Sequence, residues 1–260
     1  WGDGSNGKST FVETLRRVLG PYAMHTPSSS LLSQRFGGIR NDVARLAGAR
    51  LVSAIEMGNG LKLDEPLIKQ LTGGDQVTAR FLYREHFEYR PEFKIVIVAN
   101  HKPQIMGTDH GIWRRIHLIP FTVQIPESQM DKNFGDKLKD ELPGILAWAV
   151  QGCLEWQENG LMVPEKVKIA TARYREEMDR LRGFLEDSCL QGNDQRVPLG
   201  EAYKAYKEWA DDACQDPVGK RTFGDLMRQR GFTQVKSNGI RFWTGIGLNE
   251  KDHRGSDKTA

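Results

Sequence analysis

Residues Gly2 to Ser9, reading GDGSNGKS, fit the spacing G-x-x-x-x-G-K-[ST]. Few eight-residue stretches restrict a fold more. Gly2 and Gly7 admit backbone conformations that a side chain forbids and let the chain approach a phosphate closely. The amides from Asp3 through Gly4, Ser5 and Asn6 to Thr10 are expected to form a nest for an anion. Lys8 is placed to reach β- and γ-phosphates, and the Ser9 hydroxyl to hold Mg²⁺. A helix over residues 9–19 follows, with Val12, Leu15, Val18 and Leu19 as its apolar stripe and Gly20-Pro21 as its stop. Its positive N-terminal end faces the phosphates. Such a loop normally follows a strand. That strand is expected upstream of Trp1, so the chain reads as a fragment.

At 260 residues the chain has room for one large or two smaller domains. No apolar run approaches the ~20 residues that span a bilayer. Cys153, Cys189 and Cys214 lie far apart, which argues against a zinc site or a disulfide framework and suits a reducing cytoplasm. Net charge is only +3, but it is unevenly spread. From Pro217 to Thr244, Lys220, Arg221, Arg228, Arg230, Lys236 and Arg241 face one acid, Asp225, giving +5. This basic stretch is a candidate nucleic-acid surface; a solvated face with clustered charge is the plainer alternative.

Between these ends the pattern alternates strands and helices. His25 to Ser30 reads as loop, and Asn41 to Gly48 as a short helix. Ala49 to Met57 is a compact apolar run that delivers Glu56 at its end, where a carboxylate would hold Mg²⁺ through water or polarise the attacking water. An ordinary surface glutamate is the alternative. Glu65 to Asp75 reads as a helix closed by Gly73-Gly74. Val77–Tyr83 and Phe87–Asn100 contain strands, and the polar REH between them predicts a hairpin presenting Arg84 and His86. The run KIVIVAN ends in Asn100, whose amide would bond both γ-phosphate and water, or simply end the strand in a turn. In GIWRRIHLIPF, Arg114 and Arg115 precede an expected apolar strand ending at Phe121. Adjacent arginines serve a phosphate, in some oligomers that of a neighbour, or a surface ion pair. In the helical stretch 136–160, Leu138, Leu142, Ile145, Ala149, Cys153 and Trp156 recur at helical spacing and are read as core. Residues 163–185 read as a connecting helix with Tyr174, Met178, Leu181 and Leu185 on one face. The last module reads as three helices and two strands joined by Ser237-Asn238-Gly239, a winged-helix pattern. Many such modules bind protein instead of nucleic acid. The fold class expected is thus α/β: a P-loop core with a parallel sheet over 1–125, a helical segment over 126–182, a winged helix over 183–248, and a disordered tail over 249–260.

Taken together, GDGSNGKST, ARLVSAIE, IKQLTGGDQVTARFLYREHFEYRP, IVANHKP, GTDHGIWRRIHLIPF and ELPGILAWAVQGCLEW resemble the phage and plasmid primase-helicases. These are superfamily 3 helicases of the AAA+ class, related to poxvirus-type primase-helicases. The resemblance runs from Gly2 to about Leu248, and Asn6 is itself typical of it. It implies an ATP- and Mg²⁺-dependent motor in which Lys8 and Ser9 serve the nucleotide and metal, Glu56 matches the Walker B acid, and Asn100 matches sensor 1. Arg115, with Arg114 as fallback, matches the arginine finger. Lys69, Arg84 and His86 match the region that tracks DNA. It further implies a cytoplasmic homo-oligomer in a phage- or prophage-bearing host, a hexameric ring on single-stranded and forked DNA, with a primase domain upstream. The chain departs from the family after Glu56, where EMGNG lacks the usual further acids, which leaves Asp64, Glu65 and Asp75 as additional candidates. The alternatives are an origin-binding initiator without processive unwinding and a small-molecule P-loop kinase; Arg114-Arg115, the hairpin and the basic C-terminal module weigh against the kinase.

Overall fold

The computed structural model describes residues 1–33, 41–55, 58, 60–107 and 109–249. The chain divides into two compact units, Trp1–Arg175 and Glu176–Ala260. The expected tail, from residue 250 on, lies outside the described residues.

In the first unit, the helix predicted after the loop is α1 (Lys8–Leu19), closed by a short 3-10 turn through Pro21. The chain then enters β1 (Ala23–His25), a short strand that the polar sequence around it concealed. After α2 (Asn41–Ala44) comes β2 (Leu51–Ile55), which is almost wholly buried. Asp64 caps α3 (Glu65–Thr72) by accepting from Leu67 N at 3.1 Å. β3 (Val77–Ala79) and β4 (Phe87–Tyr89) pair antiparallel with Ala79 opposite Phe87, forming the expected hairpin. The Tyr89 hydroxyl donates to Val43 O at 2.8 Å, and burial pushes its pKa up to about 12. β5 (Lys94–Val98) completes a parallel sheet in the order β1-β2-β5. The fold is therefore mixed α/β with a parallel sheet, as the alternating pattern requires.

Two expectations in this unit are corrected. Residues 116–121 form no strand; they follow a single helical turn, α4 (His110–Trp113). The parallel sheet has the order β1-β2-β5 and does not include this segment. The backbone bonds of this segment go instead to Trp1, whose amino group donates to Ile119 O and whose carbonyl accepts from Phe121 N. The second correction concerns α5 (Phe134–Asp140) and α6 (Leu142–Asn159), which contain no buried residue. Leu138, Leu142 and Ile145 are partly covered, while Ala149, Cys153 and Trp156 are exposed. Apolar residues surround α6, so a single neighbouring surface cannot bury them: Trp148 is 68% and Leu154 49% exposed. α7 (Glu165–Met178) begins just after Pro164 and anchors to this unit through Tyr174, which donates its hydroxyl to Pro103 O.

The second unit holds the expected three helices, α8 (Arg182–Ser188), α9 (Leu199–Asp212) and α10 (Lys220–Gln229). Between the first two runs β6 (Cys189–Pro198), a strand absent from the sequence reading. It is legible only at its ends, where Cys189 and Val197 are buried; Gly192, Asn193 and Asp194 between them look like turn. It pairs with β8 (Ile240–Leu248), which also pairs with β7 (Thr233–Ser237). Asn238 and Gly239 carry positive φ of 48° and 80°, the geometry of a type I′ hairpin. Trp243, Phe184, Tyr206, Phe223 and Met227 make the core, all nearly inaccessible. Phe184 meets Tyr206 edge-on at 5.5 Å. Trp243→Ala should lower the stability of this unit by ~3–5 kcal/mol, checked by urea unfolding followed through near-UV circular dichroism.

Candidate phosphate-binding and nucleic-acid sites

The loop before α1 has a shape that its glycines permit. Gly7, at φ +82°, is the left-handed residue from which α1 starts. A side chain on Gly2 would place its Cβ 2.1 Å from Phe121 O. Asn6 occupies the same neighbourhood, donating its amide Nδ2 to Asp3 O at 2.5 Å and to Phe121 O at 2.9 Å. No side chain caps α1 and no acid sits in its first turn. Lys8 is buried, with its ammonium donating to Gly2 O (2.5 Å), Asp3 O (2.9 Å) and Asn6 Oδ1 (2.9 Å). Ser9 lies exposed on the first turn. The arrangement fits a polyphosphate.

The other expected residues are placed as follows. Asn100 follows β5, exposed, with its backbone carbonyl accepting from Trp1 Nε1 at 2.9 Å. Glu56 lies outside the described residues. Of the additional acids, Asp64 is the cap of α3, and Glu65 accepts the amides of Met106 and Gly107 at 2.7 and 2.8 Å. Both are thus committed to holding backbone, while Asp75 is exposed. Arg115 donates to Thr72 Oγ1 (3.1 Å) and Gly111 O (2.5 Å) within its own unit. Arg114 points to solvent with no bonded partner among the described residues. Lys69 pairs with Asp109 at 2.9 Å. Arg84 and His86 are exposed in the loop of the β3–β4 hairpin, beside Tyr83, which is 96% exposed.

In the second unit, Lys220, Arg221, Arg228 and Lys236 are exposed, although Arg228 is paired with Asp225 at 2.7 Å. Lys236 stands directly opposite Arg241 in the β7–β8 ladder. Arg230 departs from the basic set: it is largely buried, pairs with Asp179, and burial pulls its guanidinium pKa down. It holds α10 to the chain entering α8 and is not part of the exposed surface.

Three features escaped the sequence reading. Glu65 was read as an additional candidate acid, and its role in holding the Met106 and Gly107 amides is set by the fold alone. Asp109 caps α4 by accepting from Ile112 N at 3.2 Å while pairing with Lys69, so it joins α3 to α4. Lys102 lies over the Trp1 ring at 4.5 Å and lines the same cavity as Lys8; its signal was the NHKP that follows β5.

Comparison with known proteins bears on this arrangement. Residues 1–115 match a family model described as a family of unknown function, DUF5906. The chain is 27% identical over 231 residues to "Putative helicase L207/L206" of Acanthamoeba polyphaga mimivirus, covering 80% of this chain and 24% of that protein. It is 27% identical to "Putative helicase 022R" of Frog virus 3, covering 87% and 25%, and 25% identical to "Putative primase C962R" of African swine fever virus, covering 80% and 24%. The chain thus spans about a quarter of the length of these relatives. Among solved structures it is similar to one described as "The A form apo structure of NrS-1 C terminal region-CTR(305-718)", with a TM-score of 0.45, 12% identity, and coverage of 94% of this chain and 64% of that one. The relatives' names, helicases and primases of large DNA viruses, support the primase-helicase resemblance read from the motifs.

The Lys69–Asp109 pair gives a pH signature. The hydrogen bond from Lys69 holds the Asp109 carboxyl below its usual range, outweighing partial burial, with help from the Lys69 charge and the Ile112 and Gly111 amides. A depressed folded pKa stabilises above the ordinary carboxylate pKa and loses that contribution as pH falls through the folded value. Lys69→Met should therefore raise the Asp109 midpoint toward its ordinary value, measured by carboxyl-carbon NMR titration, and the α4 cap should fail at a higher pH than in the wild type.

Proposed function

We propose that this chain is the motor of an ATP-dependent DNA helicase acting in replication, part of a primase-helicase. The observation that carries the reading is the phosphate loop: a buried lysine held by three loop oxygens, beside an uncapped helix start. In this reading the amides of Asp3 to Thr10 and the Lys8 ammonium bind the β- and γ-phosphates. Ser9 Oγ holds Mg²⁺, with Glu56 as the acid at the end of β2. When bound, Mg²⁺ neutralises charge on the phosphate oxygens. Asn100 at the end of β5 orients the attacking water and senses which nucleotide is present.

The arginine that stabilises the developing charge would come from a neighbouring copy. Arg115 is engaged with Thr72 and Gly111, so the exposed guanidinium of Arg114, with no bonded partner among the described residues, is the better placed to cross a subunit boundary. The exposed apolar α6 supports the oligomeric part of the reading, since an apolar patch of this extent marks an interaction surface. The resemblance makes that oligomer a hexameric ring. DNA would be contacted by the hairpin carrying Arg84 and His86 and by the second unit as a winged helix, through Lys220, Arg221, Arg228 and Lys236.

Subunit mixing tests the shared site in the full-length protein. Lys8→Ala and Arg114→Ala should each lower ATP turnover by ~10³-fold or more. Mixed under conditions where rings form, the two should recover turnover, because some interfaces combine an intact loop with an intact arginine. No recovery with either Arg114→Ala or Arg115→Ala would refute a site shared between copies. Tight DNA binding with turnover but no strand displacement would mark an origin-binding initiator instead.

A further inference from the structure

The β6-β8-β7 sheet of the second unit has two unlike faces, and its register tells them apart. Residues directly opposite each other in an antiparallel ladder share a face, and neighbours along a strand alternate. Trp243, opposite Val197, is buried in the core, so its face is the inner one. The outer face then carries Arg196, Thr244 and Thr233 in one row, Phe242 and Val235 in the next, and Ile240 beside the turn. Val235 and Ile240 are 44% and 53% exposed, apolar surface left open to solvent. Arg196 is also exposed, and its guanidinium lies over the Phe242 ring at 5.5 Å. None of these six residues is acidic, and no ion pair holds Arg196 among the described residues. The two threonine hydroxyls are bonded to each other at 2.7 Å. Lys236 and Arg241 alternate to the other face and take no part.

We propose that this outer face binds single-stranded nucleic acid: an unpaired base stacks over the Arg196 guanidinium and the ring beneath it, and the edge of that guanidinium takes the neighbouring phosphate. The face is separate from the α10 surface given to DNA above. The inference rests on that scheme only in taking nucleic acid as the substrate. A guanidinium plane is a stacking platform for a base, and its donors form a fork that matches phosphate. The Phe242 ring already positions the side chain, so less freedom is lost when a strand binds. A cation with no acid on its face favours a polyanion. With the threonine hydroxyls engaged by each other, the contact is mainly stacking, which tolerates any base. A duplex keeps the planes of its bases inside the stack and presents phosphates, so it gains nothing from Val235, Phe242 and Ile240. An unpaired strand uses both the rings and the charge.

Fluorescence anisotropy of the full-length protein tests this, with a labelled oligothymidylate and a labelled duplex over a range of salt. Phe242→Leu keeps apolar bulk and removes the ring; Arg196→Gln removes the charge at an exposed position. Each should weaken single-strand binding by about five-fold or more. Duplex binding and ATP turnover without DNA should stay unchanged in both. Arg196→Gln should also reduce the slope of log affinity against log salt by about 0.7, the share of one phosphate contact on a single strand. Arg196→Lys should restore that slope but not the full affinity, because an ammonium has no plane to stack. A strand carrying 5-iodouracil should photocross-link to the wild type within β7 or β8, located by mass spectrometry. Unaltered single-strand affinity in either Phe242→Leu or Arg196→Gln overturns the proposal, as does an equal loss for the duplex. If the strand binds but its cross-links lie wholly outside the sheet, the nucleic-acid reading stands and this face falls. If the wild type binds neither strand nor duplex, the nucleic-acid reading fails first and this face with it.

Discussion

The glycine-rich loop before α1 depends on a segment more than a hundred residues away. Phe121 O accepts the Asn6 amide and closes over Gly2, where even one methyl would collide. Ile125 N reaches Ser5 O, and Trp1 exchanges two backbone bonds with residues 119 and 121. Each bond is an ordinary one, contributing about 1 kcal/mol. Their joint effect is to hold a glycine-rich stretch, costly to order, in the one curve that surrounds the Lys8 ammonium. The loop is thus a tertiary object, although its residues are contiguous.

Around it several charged side chains brace the fold. Lys69 and Arg115 both tie α3 to the turn of α4, Glu65 captures the loop after β5, and Arg230 is turned inward to Asp179. Arg84, His86, Arg114, Lys220, Arg221 and Lys236, by contrast, are exposed. A charged side chain that already has a partner must lose it before it meets a ligand, so these two groups differ in availability even where their residue types match.

Much of this was legible in the chain. The spacing of Gly2, Gly7, Lys8 and Ser9 sufficed for the loop and α1, because those residue types are demanded by backbone geometry and phosphate chemistry. LVSAI and KIVIV read as buried strands from their β-branched, uninterrupted character; both are strands, β2 and β5, but β5 fully buries only Val98. Asn238-Gly239 foretold its hairpin because few other pairs tolerate two positive φ values. By contrast, β6 carries turn-like residues and buries only its ends, leaving no alternation to detect. α6 shows the reverse failure: its apolar spacing is that of a core helix, yet burial requires neighbours on every side, and periodicity does not supply them.

The sequence alone determined which groups are on offer: a glycine-rich loop with Lys8 and Ser9, apolar runs followed by Glu56 and Asn100, paired arginines, and a basic final module. Only the tertiary structure decided which of these groups are free. It set Arg115 against Thr72, buried Arg230, and gave Glu65 to two backbone amides. The reason is physical. Covalent sequence specifies which donors, acceptors and rings exist, while their partners are chosen among residues tens to a hundred positions distant, and it is the partner that determines whether a group remains available to bind.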